Sequence, residues 1–89
     1  MSAILRKAMA GTLESSDALV EIGPGNDRIE VELDSVVEAQ FGDSIRQSIR
    51  EVLSRQGVTS ARIKVVDRGA LDCVIRARVE TAVARAREE

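Results

Sequence analysis

Three short stretches of the chain alternate apolar and polar residues, a period-two pattern that is typical of half-buried β-strands. They cover residues 17–22, 28–34 and 61–65. The second stretch is the most regular, because every apolar residue in it has a charged neighbour on both sides. Segment 23–27 between the first two stretches is rich in turn-forming residues, so we expect these two strands to form a hairpin.

Two longer segments repeat apolar residues at spacings of three and four, which predicts two amphipathic helices. Ser35 and Glu38 match a capping box, in which both side chains bond free amides at a helix start, and Gly57 is the expected end of this first helix. The apolar stripe of the first helix consists of Val37, Phe41, Ile45, Ile49, Val52 and Leu53. The stripe of the second helix consists of Leu71, Val74, Ile75, Val79, Ala82, Val83 and Ala86.

The order of these elements is ββαβα, which predicts one small α+β domain. We expect a three-stranded, mainly antiparallel sheet with both helices packed on one face, since this arrangement lets all five elements share a single core. The order of the strands within the sheet is left open. Residues 1–10 have no clear period and are expected to be a flexible lead-in, so the domain proper is predicted to span 11–89.

Composition excludes several classes of protein. The chain has 89 residues and a formal net charge of −2, with 1% aromatic residues, so it lacks the basic face and stacking platforms of a nucleic-acid binder. It also lacks the run of roughly 18 apolar residues that a membrane span requires, and its first residues lack the apolar region of a secretory signal. With one cysteine, Cys73, a reduced cytoplasmic setting is expected.

No residue of the chain has the surroundings of a catalytic group. The sequence contains no histidine, and Cys73 projects from the second helix opposite its apolar stripe, which favours a plain thiol over a nucleophile. Glu30, Glu32 and Asp34 fall on the solvated face of a strand, and no metal site is predicted. The chemistry of this protein is therefore expected to be attached to it.

The second helix carries a concentration of arginines that needs a separate interpretation. Arg78 and Arg85 are two turns apart on one side of this helix, and Arg76 and Arg87 lie on another side. Such rows are able to contact phosphates or an acidic partner, but the spacing alone favours a solvated helix face. Arg78 borders the apolar stripe, so its aliphatic stem is expected to be buried.

Three blocks of sequence together resemble the acyl carrier (gamma) chain of citrate lyase. Residues 10–15 read AGTLES, residues 37–46 read VEAQFGDSIR, and residues 69–80 read GALDCVIRARVE. The resemblance implies that the serine after glutamate, here Ser15, carries a phosphoribosyl dephospho-coenzyme A group through a phosphodiester. Where the family pattern has glycine after that serine, this chain has Ser16, which is the alternative attachment site.

The resemblance also implies a function. The attached 2′-(5″-phosphoribosyl)-3′-dephospho-CoA would carry acetyl and citryl thioesters between an alpha (citrate CoA-transferase) chain and a beta (citryl lyase) chain, which cleave citrate to oxaloacetate and acetate. A prosthetic-group transferase and an acetate-activating ligase would be transient partners. The carrier itself would not be an enzyme. Two alternatives stay open: the carrier of a malonate decarboxylase, and an unmodified regulatory or assembly subunit.

Overall fold

The computed structural model describes residues 3–87, which form four strands and two helices. In chain order the elements are β1 (Ala8–Gly11), β2 (Ala18–Gly23), β3 (Ile29–Ser35), α1 (Glu38–Arg55), β4 (Ala61–Asp67) and α2 (Asp72–Arg87). The predicted order ββαβα is correct from β2 onward, and the α+β class is confirmed.

The expectation of three strands was wrong, because β1 adds a fourth strand inside the segment expected to be a lead-in. Its four residues are Ala, Met, Ala and Gly, so they have neither polar alternation nor β-branched side chains to signal a strand. Ile4, which precedes β1, is also buried, and the backbone amide of Leu5 donates to the carbonyl of Ala86 at 3.0 Å. Residues 1 and 2 of the expected lead-in lie outside the described residues.

The four strands form one mixed sheet in the order β1-β2-β4-β3. Strand β2 is antiparallel to both β1 and β4, whereas β3 is parallel to β4. The predicted hairpin between β2 and β3 was therefore wrong. Strand β4 lies between β2 and β3. Strands β3 and β4 are parallel, and α1 provides the crossover connection that a parallel pair requires.

One face of the sheet is apolar, and both helices pack against it. The register places Val20 opposite Val65 and Ile22 opposite Ile63, and all four side chains are buried. The helices contribute half of the buried core residues, namely Ile45, Ile49, Val52, Leu53, Ile75, Val79, Ala82, Val83 and Ala86. These helical residues confirm most of the two predicted stripes. No helix within residues 3–87 is long and apolar enough to cross a membrane.

Two large residues of the predicted stripes lie outside the core. Phe41 is 53% exposed because it belongs to the first turn of α1, one turn before Ile45, the first large side chain of this helix to reach the core. Leu71 is 71% exposed and precedes the first residue of α2. Both residues have helical spacing in the sequence, and spacing alone does not show where a helix first meets the sheet.

The predicted capping box was also wrong, because Ser35 is the last residue of β3; its hydroxyl accepts the amide of Val37, the residue before the helix, at 3.1 Å and donates to Asp67. Helix α1 begins at Glu38 without a side-chain cap. The hydroxyl of Ser35 donates to Oδ2 of the buried Asp67 at 2.8 Å, and the other carboxylate oxygen accepts the amides of Gly69 and Ala70 at 3.1 and 2.9 Å. Asp67 thus joins the turns that follow β3 and β4.

Candidate functional site

The loop that connects β1 to β2, residues 12–17, carries the two candidate serines. Within it, the amide of Asp17 donates to the carbonyl of Glu14 at 3.1 Å, so residues 14–17 form a tight turn. Ser15 and Ser16 occupy the two central positions of this turn, and both are exposed. The loop therefore presents Ser15 to solvent at one end of the sheet.

The two serines differ in backbone conformation. Ser16 has a φ of +66°, in the left-handed region that favours glycine at the third position of such turns. A glycine, which the resemblance leads us to expect at this position, adopts this conformation without strain. The chain keeps the turn with a serine in that position, at a cost in backbone strain.

A single carboxylate organises the base of the loop. Arg78 of α2 binds Asp17 in a bidentate manner, with Nε 3.0 Å from Oδ1 and Nη2 3.1 Å from Oδ2. The hydroxyl of Thr12 and the amide of Ala18 also donate to this carboxylate, each at 2.7 Å. Arg78, Thr12 and Ala18 together hold the pKa of Asp17 well below its ordinary value of 3.8, since they all stabilise the ionised form.

Backbone contacts fix the same loop to the end of β4. The amide of Ser16 donates to the carbonyl of Arg68, and the amide of Arg68 donates to the carbonyl of Asp17, both at 2.9 Å. The loop is therefore tied to two elements, by main chain to the residue after β4 and by a side-chain ion pair to α2.

Gly11, the glycine of the AGTLES motif, makes this close packing possible. Its φ is +92°, and a Cβ added to it would lie 1.8 Å from the carbonyl oxygen of Ala18. The same Cβ would lie 3.1 Å from Cδ of Arg78. Only glycine fits here, because the neighbouring strand and the stem of Arg78 fill the space beside the backbone.

The predicted arginines do not converge on one point. Arg76 links the two helices by donating to Glu51 at 2.6 Å and to Asp72 at 2.7 Å, and these contacts raise the pKa of its guanidinium. Arg85 donates to the carbonyl of Met9 at 2.7 Å, and Arg87 donates to the carbonyl of Gln56. The structure brings Arg78 alone of these four to the base of the serine loop.

The remaining candidates have structural surroundings. Cys73 is exposed in the first turn of α2. Glu30 and Glu32 lie on the outer face of the sheet, where they form ion pairs with Arg62 at 3.1 Å and Lys64 at 3.8 Å, their register partners on β4. Within residues 3–87, no group of His, Cys, Asp and Glu side chains is arranged to hold a metal ion.

The Asp17–Arg78 pair is the part of the site that sequence reasoning missed. The two residues are 61 positions apart, and Arg78 was assigned to a phosphate or a partner, or to solvent, rather than to an acidic group of the chain itself. Arg78 lies within one sequence block of the resemblance, 69–80, and Asp17 lies two residues after another, 10–15. That joint position was the one signal available.

Known proteins resemble this chain along almost its whole length. Residues 5–86 match the acyl carrier family described as malonate decarboxylase delta subunit (MdcD). Citrate lyase acyl carrier proteins of Rhodopseudomonas palustris and Klebsiella pneumoniae are each 52% identical to the chain, over 97% and 92% of it and over 89% and 86% of their own lengths. The chain belongs to the citrate lyase acyl carrier protein family. A further member, citrate lyase acyl carrier protein 2 of Salmonella typhimurium, is 49% identical over 97% of the chain and 90% of its own length.

Membership of the citrate lyase acyl carrier family confirms the resemblance that the three sequence blocks indicated. A solved structure supports the fold as well: a chain of a Pseudomonas malonate decarboxylase hetero-tetramer in complex with malonate superposes with a TM-score of 0.77. The match covers 97% of this chain and 92% of that chain at 19% identity. The mixed sheet with two helices is therefore a fold that this protein shares with that chain.

Proposed function

We propose that this chain is the acyl carrier subunit of a citrate lyase and that Ser15 carries its prosthetic group. Ser15 directly follows Glu14 in the AGTLES block, and it is exposed at the tip of a loop that two elements hold in place. Relatives that are about half identical over nearly the whole chain are named citrate lyase acyl carrier proteins. The exposed, fixed serine is the observation that carries the proposal.

The residues of the loop fit an attached 2′-(5″-phosphoribosyl)-3′-dephospho-CoA. A phosphodiester to this group needs a hydroxyl that an enzyme is able to approach and a position where a large polar substituent stays in water, and Ser15 meets both conditions. When attached, the group supplies a terminal thiol that holds acyl groups as thioesters. The chain itself supplies the hydroxyl, fixes the backbone on both sides of it, and keeps the attachment point away from the core.

In this function the chain is a carrier and not a catalyst. Its partners are the alpha (citrate CoA-transferase) and beta (citryl lyase) chains, which cleave citrate to oxaloacetate and acetate in the cytoplasm. A prosthetic-group transferase and an acetate-activating ligase act on it transiently. Tethering one acyl group to a small protein raises its effective concentration at both partner sites, so the intermediate does not have to diffuse freely.

Among the arginines of α2, Arg85 is the one that we propose as a contact for an acidic partner or a phosphate. Arg76 and Arg78 both hold carboxylates of this chain. Arg85 is exposed, and among the described residues its guanidinium donates to a backbone carbonyl rather than to a carboxylate. Arg85 is therefore the most available of the three for an acidic partner.

The attachment is tested by the intact mass of the protein expressed together with its modifying enzymes. We expect the unchanged chain to gain the mass of one phosphodiester-linked group, and we expect Ser16→Ala protein to gain the same mass. Ser15→Ala protein should keep the mass of the bare chain. A bare mass for Ser16→Ala alone would move the site to Ser16, and no added mass in any variant would favour an unmodified regulatory or assembly subunit.

A carrier of a malonate decarboxylase is the second candidate, because the matching family is described by that enzyme's delta subunit and the fold is shared. Reconstitution separates the two. The modified chain should restore citrate cleavage by citrate lyase alpha and beta chains, and it should fail to restore decarboxylation by malonate decarboxylase lacking its own carrier. The reverse result would favour the second candidate.

A further inference from the structure

A chain of three hydrogen bonds connects α2 to the residue that precedes Ser15. Arg78 Nη2 donates to Oδ2 of Asp17 at 3.1 Å, and the hydroxyl of Thr12 donates to the same oxygen at 2.7 Å. The oxygen of Thr12 in turn accepts the amide of Glu14 at 3.2 Å. The orientation of Arg78 is thus transmitted through two side chains to the backbone of Glu14.

This connection differs from the main-chain bonds at the end of the loop. Those bonds involve Ser16 and Asp17 and hold the loop against the residue after β4. The contacts of Thr12 and Glu14 described above are made through side chains, and they depend on the Asp17 carboxylate. Without Arg78, the anchored end would remain while the first half of the loop would lose its support from α2.

We propose that Asp17 and Arg78 are positioning residues for the modification of Ser15, an inference that rests on the proposed function. Attachment forms a bond from Oγ of Ser15 to the phosphorus of a phosphoanhydride-activated precursor. The bond from that phosphorus to its phosphate leaving group breaks, and the serine proton passes to a base. Such a transfer needs a defined direction of approach, so the modifying enzyme accepts the loop only in the conformation that this ion pair maintains.

The expected effect follows from the population of the competent loop. When only a fraction of the protein has the competent conformation, the apparent affinity of the enzyme for it falls by that fraction, whereas the rate at saturation is preserved. Loss of the ion pair should therefore raise the KM for the carrier and leave kcat unchanged.

Arg76 provides a matched control on the same helix. Like Arg78 it is an arginine of α2 that makes two short bonds to carboxylates, but its partners are Glu51 of α1 and Asp72. Arg76→Met removes a comparable set of ion pairs and leaves the serine loop untouched. Arg78→Met keeps most of the aliphatic stem that lies beside Gly11.

The first test measures the kinetics of attachment to unmodified carrier, using the purified modifying enzyme, the activated precursor and intact mass as the readout. Arg78→Met should raise the KM for the carrier about 10-fold at constant kcat, and Arg76→Met should change it less than about 2-fold. Arg78→Lys, which keeps the charge and loses the bidentate geometry, should lie between the parent and Arg78→Met. Equal effects of Arg78→Met and Arg76→Met would overturn the positioning role.

The second test does not depend on the modifying enzyme. Amide hydrogen exchange should become at least about 10-fold faster at Glu14 in Arg78→Met, while the core amides of Ile49 and Val65 exchange as in the parent. Unchanged exchange at Glu14 would contradict the proposal even if Ser15 is the attachment site. Failure of the proposed function has a different signature, namely Ser15→Ala protein that is still modified.

A third variant covers the case in which Arg78→Met does not fold. Asp17→Asn retains the size of the side chain and is able to accept the Thr12 hydroxyl, while it loses the charge that binds Arg78. It should show the same increase in KM and the same faster exchange at Glu14. The double variant Asp17→Asn, Arg78→Lys should have the same KM as Asp17→Asn alone, because both changes break the same ion pair. Additive increases in KM would show that the two residues act independently, which would overturn their proposed role as a pair.

Discussion

Ser15 and Ser16 have the same side chain and neighbouring positions, yet the turn distinguishes them. The backbone of Ser16 is held in the left-handed region, and its amide is bonded to the carbonyl of Arg68. Ser15 stands one position earlier, beside the residue that Thr12 supports. The glycine that the resemblance predicts after the attachment serine would thus have a conformational cause, and this supports Ser15 as the proposed attachment site.

The strain at Ser16 leads to a prediction about stability. Ser16→Gly should raise the free energy of unfolding by about 0.5–1 kcal/mol, because relief of the left-handed strain exceeds the entropy that glycine adds to the unfolded chain. Ser15→Gly, in which no positive φ is relieved, is the control and should lower stability slightly. Urea melts of the two variants measure both effects. A loss of stability in Ser16→Gly would show that the serine side chain supports the turn.

Asp17 should make the stability of the protein depend on pH. Its pKa is lowered in the folded state, chiefly by Arg78, so its contribution is fully present above the ordinary aspartate value of 3.8 and is lost as the pH falls toward the folded value. The difference in unfolding free energy between the parent and Asp17→Asn should therefore be constant above about pH 5 and should shrink below it. Chemical denaturation at a series of pH values measures this difference. A difference that does not shrink in acid would contradict the charge-based role of the pair.

Among the secondary-structure elements, the sequence predicted those with strong local patterns. The alternation around Val31 and the helical repeat from Ile45 to Leu53 identified β3 and α1 correctly, because half-buried elements require such periods. Strand β1 was missed because its four small or flexible residues have no alternation of apolar and polar side chains. Only their pairing with β2 makes them a strand.

Errors in the predicted contacts all involved partners distant in sequence. The expected capping box failed because Ser35 belongs to β3, where its hydroxyl donates to Asp67, 32 residues away, and the expected β2–β3 hairpin failed because β4 lies between these strands. At the proposed site, the motif predicted Ser15, but the contact of the loop with Arg78 became visible only in the fold, which brings α2 to the loop. Local pattern predicts which element a residue joins, and the tertiary fold decides which polar group it meets.

Asp67 gives a prediction for the junction of the two turns. Asp67→Ala should cost about 2–4 kcal/mol of stability, because it removes charge-assisted hydrogen bonds and leaves the Ser35 hydroxyl and the amides of Gly69 and Ala70 without their acceptor. Asp67→Asn keeps an oxygen for the two amides and should cost less than about half as much. Denaturant melts distinguish the two variants. Equal losses would mean that these hydrogen bonds contribute little.

Substitutions in the core and at the proposed attachment site should differ in their effect on the free energy of unfolding. Leu53 is 1% exposed in α1, so Leu53→Ala should cost about 2–5 kcal/mol. Ser15 is exposed, so Ser15→Ala should stay within about 0.5 kcal/mol of the parent. The same melts provide the measurement. A comparable loss in both variants would make Ser15 a structural residue.

The molecule as a whole is a small single-core domain with its proposed attachment site at one end. Its buried apolar residues hold two helices against one sheet face, and on the opposite face Glu30 and Glu32 are paired with cations on β4. The serine loop lies at the end of the sheet where β1, β2 and β4 meet and is held there by α2. This layout suits a carrier, which has to present one attachment point and keep its own fold unchanged.

Substitution of Cys73 tests whether the thiol of the polypeptide itself takes part in acyl transfer. It is exposed in the first turn of α2, and the chain has no histidine to activate it. Cys73→Ser protein should therefore accept the prosthetic group and support citrate cleavage at the rate of the parent. Turnover with added alpha and beta chains is the measurement. A folded Cys73→Ser protein that accepts the group but supports no turnover would assign the acyl group to Cys73.

The most direct test of the proposed function is the position of the acetyl group on the charged protein. Trypsin places the two possible positions of the acetyl group in different peptides, because Ser15 lies in peptide 8–28 and Cys73 lies in peptide 69–76. Fragmentation of the acetyl-charged protein should place the prosthetic group and its acetyl on Ser15, and hydroxylamine should release the acetyl as expected for a thioester. An acetyl group on Cys73, or a prosthetic group on Ser16, would contradict the proposed carrier site.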